Sequence, residues 1–182
     1  IDGPYFIYVG NAYPHKNLKQ AIDAIIHLNK KLIQKALLVI ASSRDVFVKR
    51  LELSVNDLKA GKFVRLLGFV PDKDLLGLYK NSEAFLFPSL SEGFGLTGLE
   101  AMASGTLVLA SDIPVFREIY KNQAIYFNPL DFSSIAKAMK DALEMNPAKR
   151  TLMIKEGQKF SQRYSWSKMA KETLKLYKSC LE

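Results

Sequence analysis

The regular alternation of short apolar runs with amphipathic segments constrains the fold more than any other feature of this sequence. The run Tyr5–Val9 is aromatic and β-branched and ends at Gly10, as a strand entering a tight turn does. The run 36–41 is continuously apolar, which is typical of a strand covered by helices on both faces. Further strands are predicted at 62–67, 83–87, 107–110 and 124–127.

Helical periodicity fills the intervals between these strands. Asn17 is a favoured capping residue before a stripe of apolar residues, and Asp72 follows Pro71 at the start of a shorter segment. The predicted helices are 18–32, 43–60, 72–79, 96–104, 113–120, 132–143, 148–164 and 166–181. Because strand and helix alternate, we predict an α/β fold with a doubly wound, mostly parallel sheet, helices on both faces and right-handed crossovers. Ligands of such sheets bind at the carboxyl ends of the strands.

Length and composition indicate one domain with an ordinary core. The 182 residues are 48% hydrophobic and 24% charged, and no apolar run approaches membrane-spanning length. Cys180 is the only cysteine, so an internal disulfide and a thiolate metal cluster are both excluded. We therefore expect a cytoplasmic protein.

The net charge of +8 favours acidic partners. The lysines are spread over predicted helix faces without an aromatic platform between them, which argues against nucleic acid as a partner. A solvated surface is the first interpretation of this charge, and peripheral contact with the cytoplasmic face of a membrane is the second.

The segment 87–118 carries the clearest functional pattern. Gly93, Phe94 and Gly95 lie between an apolar strand and a helix-forming run that begins at Leu96 and Thr97. The first amides of a helix lack internal partners and carry the positive end of the helix dipole, and glycines allow a ligand to approach the backbone. We therefore expect this turn to bind an anion, and a diphosphate would fit it.

Glu92 and Glu100 lie eight positions apart on either side of these glycines. Two carboxylates aimed at a phosphate would repel it, so they are expected to point elsewhere. An ionised carboxylate accepts two hydroxyl hydrogens, and its natural partner beside a phosphate is the diol of a sugar or a ribose. One diol on each side of a diphosphate describes a nucleotide sugar.

The loop after the first strand places Lys16 at the same edge of the sheet. The stretch 10–16 lacks the glycine and the Ser or Thr of a phosphate-binding P-loop, so it is not one. A cation next to a helix N-terminus is unfavourable unless an anion compensates it. Lys16 is therefore interpreted as a diphosphate ligand, although a solvated lysine is the plainer alternative.

A dinucleotide-binding site is the main rival interpretation. Gly93, Gly95 and Gly98 match the G-x-G-x-x-G fingerprint, and Asp112 lies nineteen residues after Gly93. The fingerprint requires its first glycine directly after a strand, whereas residues 88–92 intervene here. It also leaves both glutamates without a role, so we favour the sugar nucleotide over NAD.

The segment 88–118 resembles the donor-binding signature of the family-4 retaining glycosyltransferases, which have the GT-B fold. The resemblance is carried by Pro88-Ser89-x-x-Glu92-Gly93-Phe94-Gly95-Leu96, by Glu100-Ala101-Met102-Ala103-x-Gly105 and by Asp112-Ile113-Pro114-x-x-x-Glu118. It extends from about Tyr5 to the C-terminus and implies the Rossmann-like C-terminal half of a GT-B fold. The segment 10–18 looks most like that of mannosyl- and related hexosyltransferases of polysaccharide assembly. GDP-mannose is accordingly the first expected donor and a UDP-hexose the second.

The resemblance also implies roles for individual residues. Lys16 and Glu92 would be catalytic, with Glu92 on the sugar hydroxyls and Glu100 on the ribose. Asn11 stands where the family often has an arginine, so one cation of the usual pair is missing. Phe69 and Val70 would lie beside the base, although a strand end packed under its helix explains them equally well. The implied donor-binding residues are Gly10, Asn11, Lys16, Phe69, Val70, Glu92, Gly93, Phe94, Gly95, Leu96, Thr97 and Glu100.

The domain organisation follows from the same resemblance. Residues 1–182 would form one nucleotide-sugar-binding domain, with a linker stub at 1–4 and a C-terminal crossover helix at 165–182. The family's N-terminal, acceptor-binding domain is expected to be the missing partner, so the chain alone would be inactive or a non-catalytic binding module. Family enzymes use no bound metal, and Asp72 of the D-x-D sequence 72–74 is interpreted as a helix cap. No metal and no cofactor are therefore expected.

Overall fold

The computed structural model describes residues 1–43 and 45–180, and these form one six-stranded parallel sheet. The strand order is β3-β2-β1-β4-β5-β6, so the two central strands are β1 and β4. The strands are β1 (Tyr5–Val9), β2 (Leu37–Ala41), β3 (Val64–Gly68), β4 (Ala84–Phe87), β5 (Val108–Ser111) and β6 (Ile125–Phe127). The predicted parallel sheet is confirmed, and every predicted strand is present.

Helices cover both faces of the sheet. They are α1 (Leu18–Asn29), α2 (Val46–Asp57), α3 (Asp72–Lys80), α4 (Leu96–Ala103), α5 (Pro114–Tyr120), α6 (Phe132–Leu143), α7 (Pro147–Ser161) and α8 (Trp166–Ser179). Helix α1 packs against α2 and α6, whereas α4 packs against α7. Right-handed crossovers carry helices to opposite faces when the chain winds outward in both directions from the centre, so the predicted doubly wound, Rossmann-like α/β class is confirmed.

The core lies on the central strands. Phe6 and Ile7 of β1 and Phe85 and Leu86 of β4 are completely buried. Successive side chains of a strand point to opposite faces, so burial of consecutive residues means that both faces are covered. This explains why the strands are continuously apolar in sequence.

The predicted cap of α1 is confirmed in position but not in its side-chain bond, and the predicted cap of α3 is wrong. Asn17 precedes α1, but it has a left-handed backbone (φ 60°) and its side chain does not bond to the helix. Its amide is used in tertiary contacts instead, which is why the capping preference is overridden. At α3 the capping position is Pro71, and Asp72 is the first helical residue with no capping hydrogen bond. At α2 the cap is Asp45, whose side chain accepts from the amides of Phe47 and Val48.

Helix α8 differs from the others because none of its described residues is buried. Trp166, Met169 and Tyr177 belong to an apolar stripe on this helix, and all three are exposed. Residue 44 of the predicted second helix and residues 181–182 of the last one lie outside the described residues. Within the described part of the chain, no helix is both long enough and apolar enough to cross a membrane.

Candidate functional site

The site lies at the carboxyl ends of β1 and β4, where the sheet order changes direction. The two strands are in register through two residue pairs, Phe6 with Ala84 and Ile7 with Phe85. After Val9 and Phe87 the chain leaves the two strands in loops, and a cavity of about 360 Å³ lies between these loops. We call it the β1–β4 cavity, and its lining residues are Tyr8, Val9, Gly10, Asn11, Lys16, Phe87, Glu92, Phe94, Gly95, Leu96 and Thr97.

An ion pair between Lys16 and Glu92 spans this cavity. Lys16 ends a single 3-10 turn at Pro14–Lys16, and its Nζ lies 2.6 Å from Glu92 Oε1. The two side chains are only 14% and 12% exposed. Ser89 Oγ donates a second hydrogen bond, of 2.7 Å, to the same carboxylate oxygen. The cation and the carboxylate that the sequence singled out are therefore partners of each other.

Backbone contacts fix the loops that carry this pair. Asn17 Nδ2 donates to the carbonyl of Pro88 (3.0 Å) and to that of Pro129 (2.8 Å). The amide of Leu90 donates to the carbonyl of His15 (2.8 Å). These bonds join the loop after β1 to the loops after β4 and β6. Lys16 and Glu92 are thus held by connected loops rather than by two independent ones.

The first turn of α4 forms the opposite wall of the cavity. Gly95 occupies the capping position with φ 94°, a left-handed conformation that favours glycine. Tyr120 Oη donates to the Gly95 carbonyl at 2.5 Å, and this bond fixes the start of the helix. The amides of Leu96 and Thr97 belong to this first turn, so they supply the partial positive charge expected of a helix start.

The glycine spacing has a packing explanation. A Cβ on Gly98 would lie 2.6 Å from Tyr120 Cζ, and one on Gly95 would collide with the Tyr120 hydroxyl and lie 2.9 Å from Phe116 Cε1. Gly93 has open space around it and does not line the β1–β4 cavity. Two of the three glycines of the dinucleotide fingerprint are therefore required by Tyr120.

The acidic residue of that fingerprint is also engaged elsewhere. Both oxygens of Asp112 accept from Arg117, at 2.6 Å from Nε and 2.7 Å from Nη2. This hydrogen-bonded guanidinium holds the pKa of the Asp112 carboxyl below its ordinary value. The structure thus gives Asp112 a partner on α5 rather than leaving its carboxylate free for a ribose.

Two buried tyrosines support the cavity from below. Tyr8 Oη donates to the Asn11 carbonyl at 2.6 Å, as Tyr120 does to Gly95. Burial raises the pKa of Tyr8 and of Tyr120 well above the ordinary value, and the negative charge of Glu92 raises both further. Both phenols therefore stay neutral near pH 7 and act as hydrogen-bond donors to backbone carbonyls.

Glu100 lies outside the β1–β4 cavity and lines a second depression of about 410 Å³. We call this depression the apolar groove because most of its lining is aliphatic or aromatic. Its residues are Phe94, Leu96, Leu99, Glu100, Ala103, Ser161, Tyr164, Ser165, Trp166 and Met169. The two depressions share Phe94 and Leu96, which form the ridge between them.

The structure does not bring Phe69 and Val70 to either depression. They follow β3, the edge strand, which is separated from β1 by β2. With neighbouring strands about 4.8 Å apart, β3 lies roughly 10 Å from β1. Phe69 is 73% exposed.

Sequence reasoning missed four residues that build the site: Tyr8, Asn17, Ser89 and Tyr120. Ser89 lies three positions before Glu92 in the segment that resembles the donor-binding signature, and this position was the only sign in the sequence of its role. Tyr120 contacts Gly95 across 25 residues, and nothing in its sequence environment distinguishes it from a core tyrosine. Across residues 1–43 and 45–180, no three His, Cys, Asp or Glu side chains form a group that could hold a metal ion.

The fold and the cavity together define a Rossmann-like α/β domain with a ligand crevice at the switch point of its sheet. Within that class, the chain belongs to the family "Glycosyl transferases group 1", whose model matches residues 2–160. The family predicted from the segments 88–105 and 112–118 is thereby confirmed.

Similar proteins agree with this assignment. The chain is 39% identical over 145 residues to the O-antigen chain mannosyltransferase RfbU of Salmonella typhimurium, covering 79% of this chain and 40% of that protein. It is 28% identical over 178 residues to the O-antigen chain mannosyltransferase B of Escherichia coli, covering 96% of this chain and 45% of that protein. The chain therefore spans less than half the length of these relatives.

Solved structures show the same fold. A sucrose-phosphate synthase from Thermosynechococcus elongatus superimposes with a TM-score of 0.86 at 25% identity, over 99% of this chain and 46% of that one. An α,α-trehalose 6-phosphate synthase from Burkholderia multivorans gives a TM-score of 0.84 at 18% identity, over 99% and 44%. The predicted likeness to one half of a GT-B enzyme is confirmed at the level of the fold.

Proposed function

We propose that this chain is the donor-binding domain of a retaining glycosyltransferase that takes a hexose, with mannose as first choice, from a nucleoside-diphosphate sugar. One observation carries the proposal: Lys16 and the first turn of α4 converge on the β1–β4 cavity at the switch point of the sheet. A cation and unpaired helix amides around one cavity are the groups that bind a diphosphate. The names of the mannosyltransferase relatives support the choice of sugar.

The chemistry assigned to this site is electrostatic. Negative charge develops on the diphosphate as the bond to the sugar breaks, and Lys16 with the Leu96 and Thr97 amides would stabilise that charge without reorganising. These groups would supply the positive charge that a metal ion would otherwise provide, which supports the proposal of transfer without a metal. Gly10 and Asn11 present backbone on the β1 side of the same cavity.

Glu92 is positioned to accept hydrogen bonds from the donor sugar. Among the described residues its contacts with Lys16 and Ser89 are both made to Oε1, and Oε2 accepts none. Glu92 also lines the cavity, so a sugar attached to a bound diphosphate would lie within its reach. This supports its assignment to the sugar hydroxyls.

Glu100 is assigned to the ribose. Because the β1–β4 cavity and the apolar groove share the ridge of Phe94 and Leu96, a nucleotide lying across that ridge would have its diphosphate beside Lys16 and its ribose beside Glu100. The base would lie beyond the ribose, and Phe69 and Val70, which follow the edge strand β3, remain its proposed neighbours.

The acceptor would bind a second domain. The relatives are more than twice as long as the matched region, which supports the proposal that the whole enzyme needs an N-terminal partner domain. The isolated chain would then bind the donor and transfer nothing. We propose a cytoplasmic site of action, with the net charge of +8 supporting peripheral contact with an anionic membrane.

A thermal-unfolding panel tests the proposal. GDP-mannose, UDP-glucose and NAD are each added to the chain at concentrations that span the micromolar to millimolar range. A ligand that binds only the folded state adds about 2.7 kcal/mol of stability at roughly 100 times its Kd. We expect at least one sugar nucleotide to raise the unfolding temperature and NAD to leave it unchanged. Stabilisation by NAD alone would refute the proposal.

A further inference from the structure

Lys16 and Glu92, which the proposed function assigns to different parts of the donor, are bonded to each other in the ligand-free chain. The Nζ–Oε1 distance is 2.6 Å and both side chains are largely shielded from water. Solvent screening is weak in such a place, so separating the charges is costly unless each finds a new partner. Any ligand whose phosphates bind Lys16 must therefore also provide Glu92 with a new hydrogen-bond donor.

We propose that the Lys16–Glu92 pair is a specificity device that favours an intact sugar nucleotide over the bare nucleoside diphosphate. This inference rests on the proposed function and deepens it. A bare diphosphate draws Lys16 away but offers Glu92 no donor. The carboxylate is then left with Ser89 as its partner, beside the negative phosphates. An intact donor brings sugar hydroxyls, which replace Lys16 as hydrogen-bond donors to Glu92.

The two buried tyrosines near Glu92 do not substitute for Lys16. The charge of Glu92 acts on the hydroxyls of Tyr8 and Tyr120. Each hydroxyl already donates to a backbone carbonyl, Tyr8 to that of Asn11 and Tyr120 to that of Gly95. Turning either hydroxyl toward Glu92 would leave a backbone carbonyl without its bond and would release the turn that it fixes. Neither tyrosine is therefore free to replace Lys16 as a donor to Glu92.

The same pair favours release of the product. After the sugar has been transferred, the remaining nucleoside diphosphate no longer supplies hydroxyls to Glu92. Re-formation of the Lys16–Glu92 contact then competes directly with the phosphates for the lysine. The pair thus weakens binding at the stage of the reaction where tight binding would slow turnover.

Glu92→Gln tests the inference, because it removes the charge and nearly keeps the shape. Affinities of the chain for GDP, GDP-mannose, UDP and UDP-glucose are measured by titration calorimetry. We expect the bare diphosphate to bind about three- to tenfold more tightly to the variant, because Lys16 is freed. We expect the matching sugar nucleotide to bind about five- to thirtyfold more weakly, because the amide is a poorer acceptor.

Asp112→Asn is the matched control. It makes the same change of charge at the carboxyl end of the neighbouring strand, but Asp112 is paired with Arg117 rather than with Lys16. Both ligands should keep their affinities within about twofold, since the pair with Lys16 is untouched. An equal gain in affinity for the bare diphosphate in both variants would show that net charge alone explains the effect. That result would overturn the inference.

Ser89→Ala gives an independent test if Glu92→Gln unfolds. Ser89 Oγ is the partner that remains when Lys16 leaves, so its loss should weaken the bare diphosphate about two- to fivefold and the sugar nucleotide less. The two variants should thus shift the preference in opposite directions. A contrary outcome is that the wild-type chain binds a sugar nucleotide while each variant changes the affinities for the sugar nucleotide and for the bare diphosphate by the same factor. In that case the inference fails and the proposed function stands. If the wild-type chain binds neither sugar nucleotides nor bare nucleoside diphosphates, the inference and the proposed function both fail.

Discussion

Lys16 occupies a position that the electrostatics of its own helix disfavour. It ends the 3-10 turn just before α1, where the positive end of the helix dipole lies. The sequence indicated that an anion must compensate it, and predicted a diphosphate in that role. The anion in the ligand-free chain is Glu92, which is 76 positions away, so no local pattern could reveal the contact. Residue types and loops could be predicted here, whereas their pairing depends on tertiary structure.

Replacing Lys16 by Ala should weaken a nucleoside diphosphate by about tenfold to a hundredfold and the nucleoside alone by much less. The variant loses a charge-assisted contact and also leaves Glu92 unpaired beside the phosphates. Lys19→Ala is the control, because Lys19 is exposed and paired with Asp23 on the same helix. Calorimetry with GDP and guanosine checks this expectation, and an equal loss for both ligands would remove Lys16 from the site.

Tyr79 should make the chain sensitive to alkali. Burial raises its pKa above the unfolded value of 10.0, and the charge of Glu100 adds to the shift. Its buried hydroxyl has no hydrogen-bond partner among residues 1–43 and 45–180. A raised folded pKa stabilises the protein below pH 10 and loses that contribution as the pH rises beyond it.

Tyr79→Phe should therefore raise the free energy of unfolding at pH 7 by about 1 kcal/mol and flatten its decline above pH 10. Tyr177→Phe, at an exposed position on α8, should do neither. Denaturant unfolding at pH 7 and at pH 10.5 measures both effects. A Tyr79 variant that is less stable than wild type at pH 7 would show that its hydroxyl has a bonding partner.

At the scale of elements, α4 and α5 are matched to each other through glycine. Tyr120 of α5 packs where Gly95 and Gly98 leave space, so the first turn of α4 and the end of α5 form one unit. The sequence predicted both helices and the strand–turn–helix order correctly. It attributed the glycines to a ligand alone, because a tyrosine 22 residues after Gly98 gives no local sign of the contact.

Gly98→Ala should destabilise the protein by about 1–3 kcal/mol, because the new methyl group collides with the Tyr120 ring. Gly77→Ala is the matched control on α3, since its Cβ would meet open space. That change should stabilise by about 0.5–1 kcal/mol, as alanine does in a helix interior. Unfolding free energies of the two variants should thus move in opposite directions, and destabilisation by both would contradict the packing described for Gly98.

The helix starts show how tertiary structure overrides local preference. Asn17 and Asp72 are both residue types favoured as caps, yet neither side chain bonds to the first turn of its helix. Asn17 has its amide between the carbonyls of Pro88 and Pro129, which a pattern confined to neighbouring residues cannot anticipate. The positions of the helices could be predicted because their apolar periodicity reflects burial. The hydrogen-bond partners of single polar side chains could not be predicted.

At the scale of the whole molecule, α8 is attached without contributing a buried residue. Deleting residues 166–182 should therefore change the free energy of unfolding by less than about 1 kcal/mol. Deleting α7 as well should unfold the chain, because α7 packs on α4 and buries Gly157, Phe160 and Ser161. Circular dichroism and denaturant unfolding check both truncations. A large loss on removal of α8 alone would show that its apolar stripe packs on the sheet domain.

The short pairing of β1 with β4 has a consequence for the motions of the chain. β1 is joined to β2 by five register pairs but to β4 by only two, so the β1–β4 boundary has the fewest strand pairs of the sheet, and the packing of α1 on α6 also holds its two sides together. A ligand held by Lys16 on one side and by the start of α4 on the other would add a further link across the β1–β4 boundary. Amide hydrogen exchange should then slow on both sides at once, in β1 and β4 together, when a sugar nucleotide is added. Protection confined to one side would mean that the ligand does not bridge the two halves.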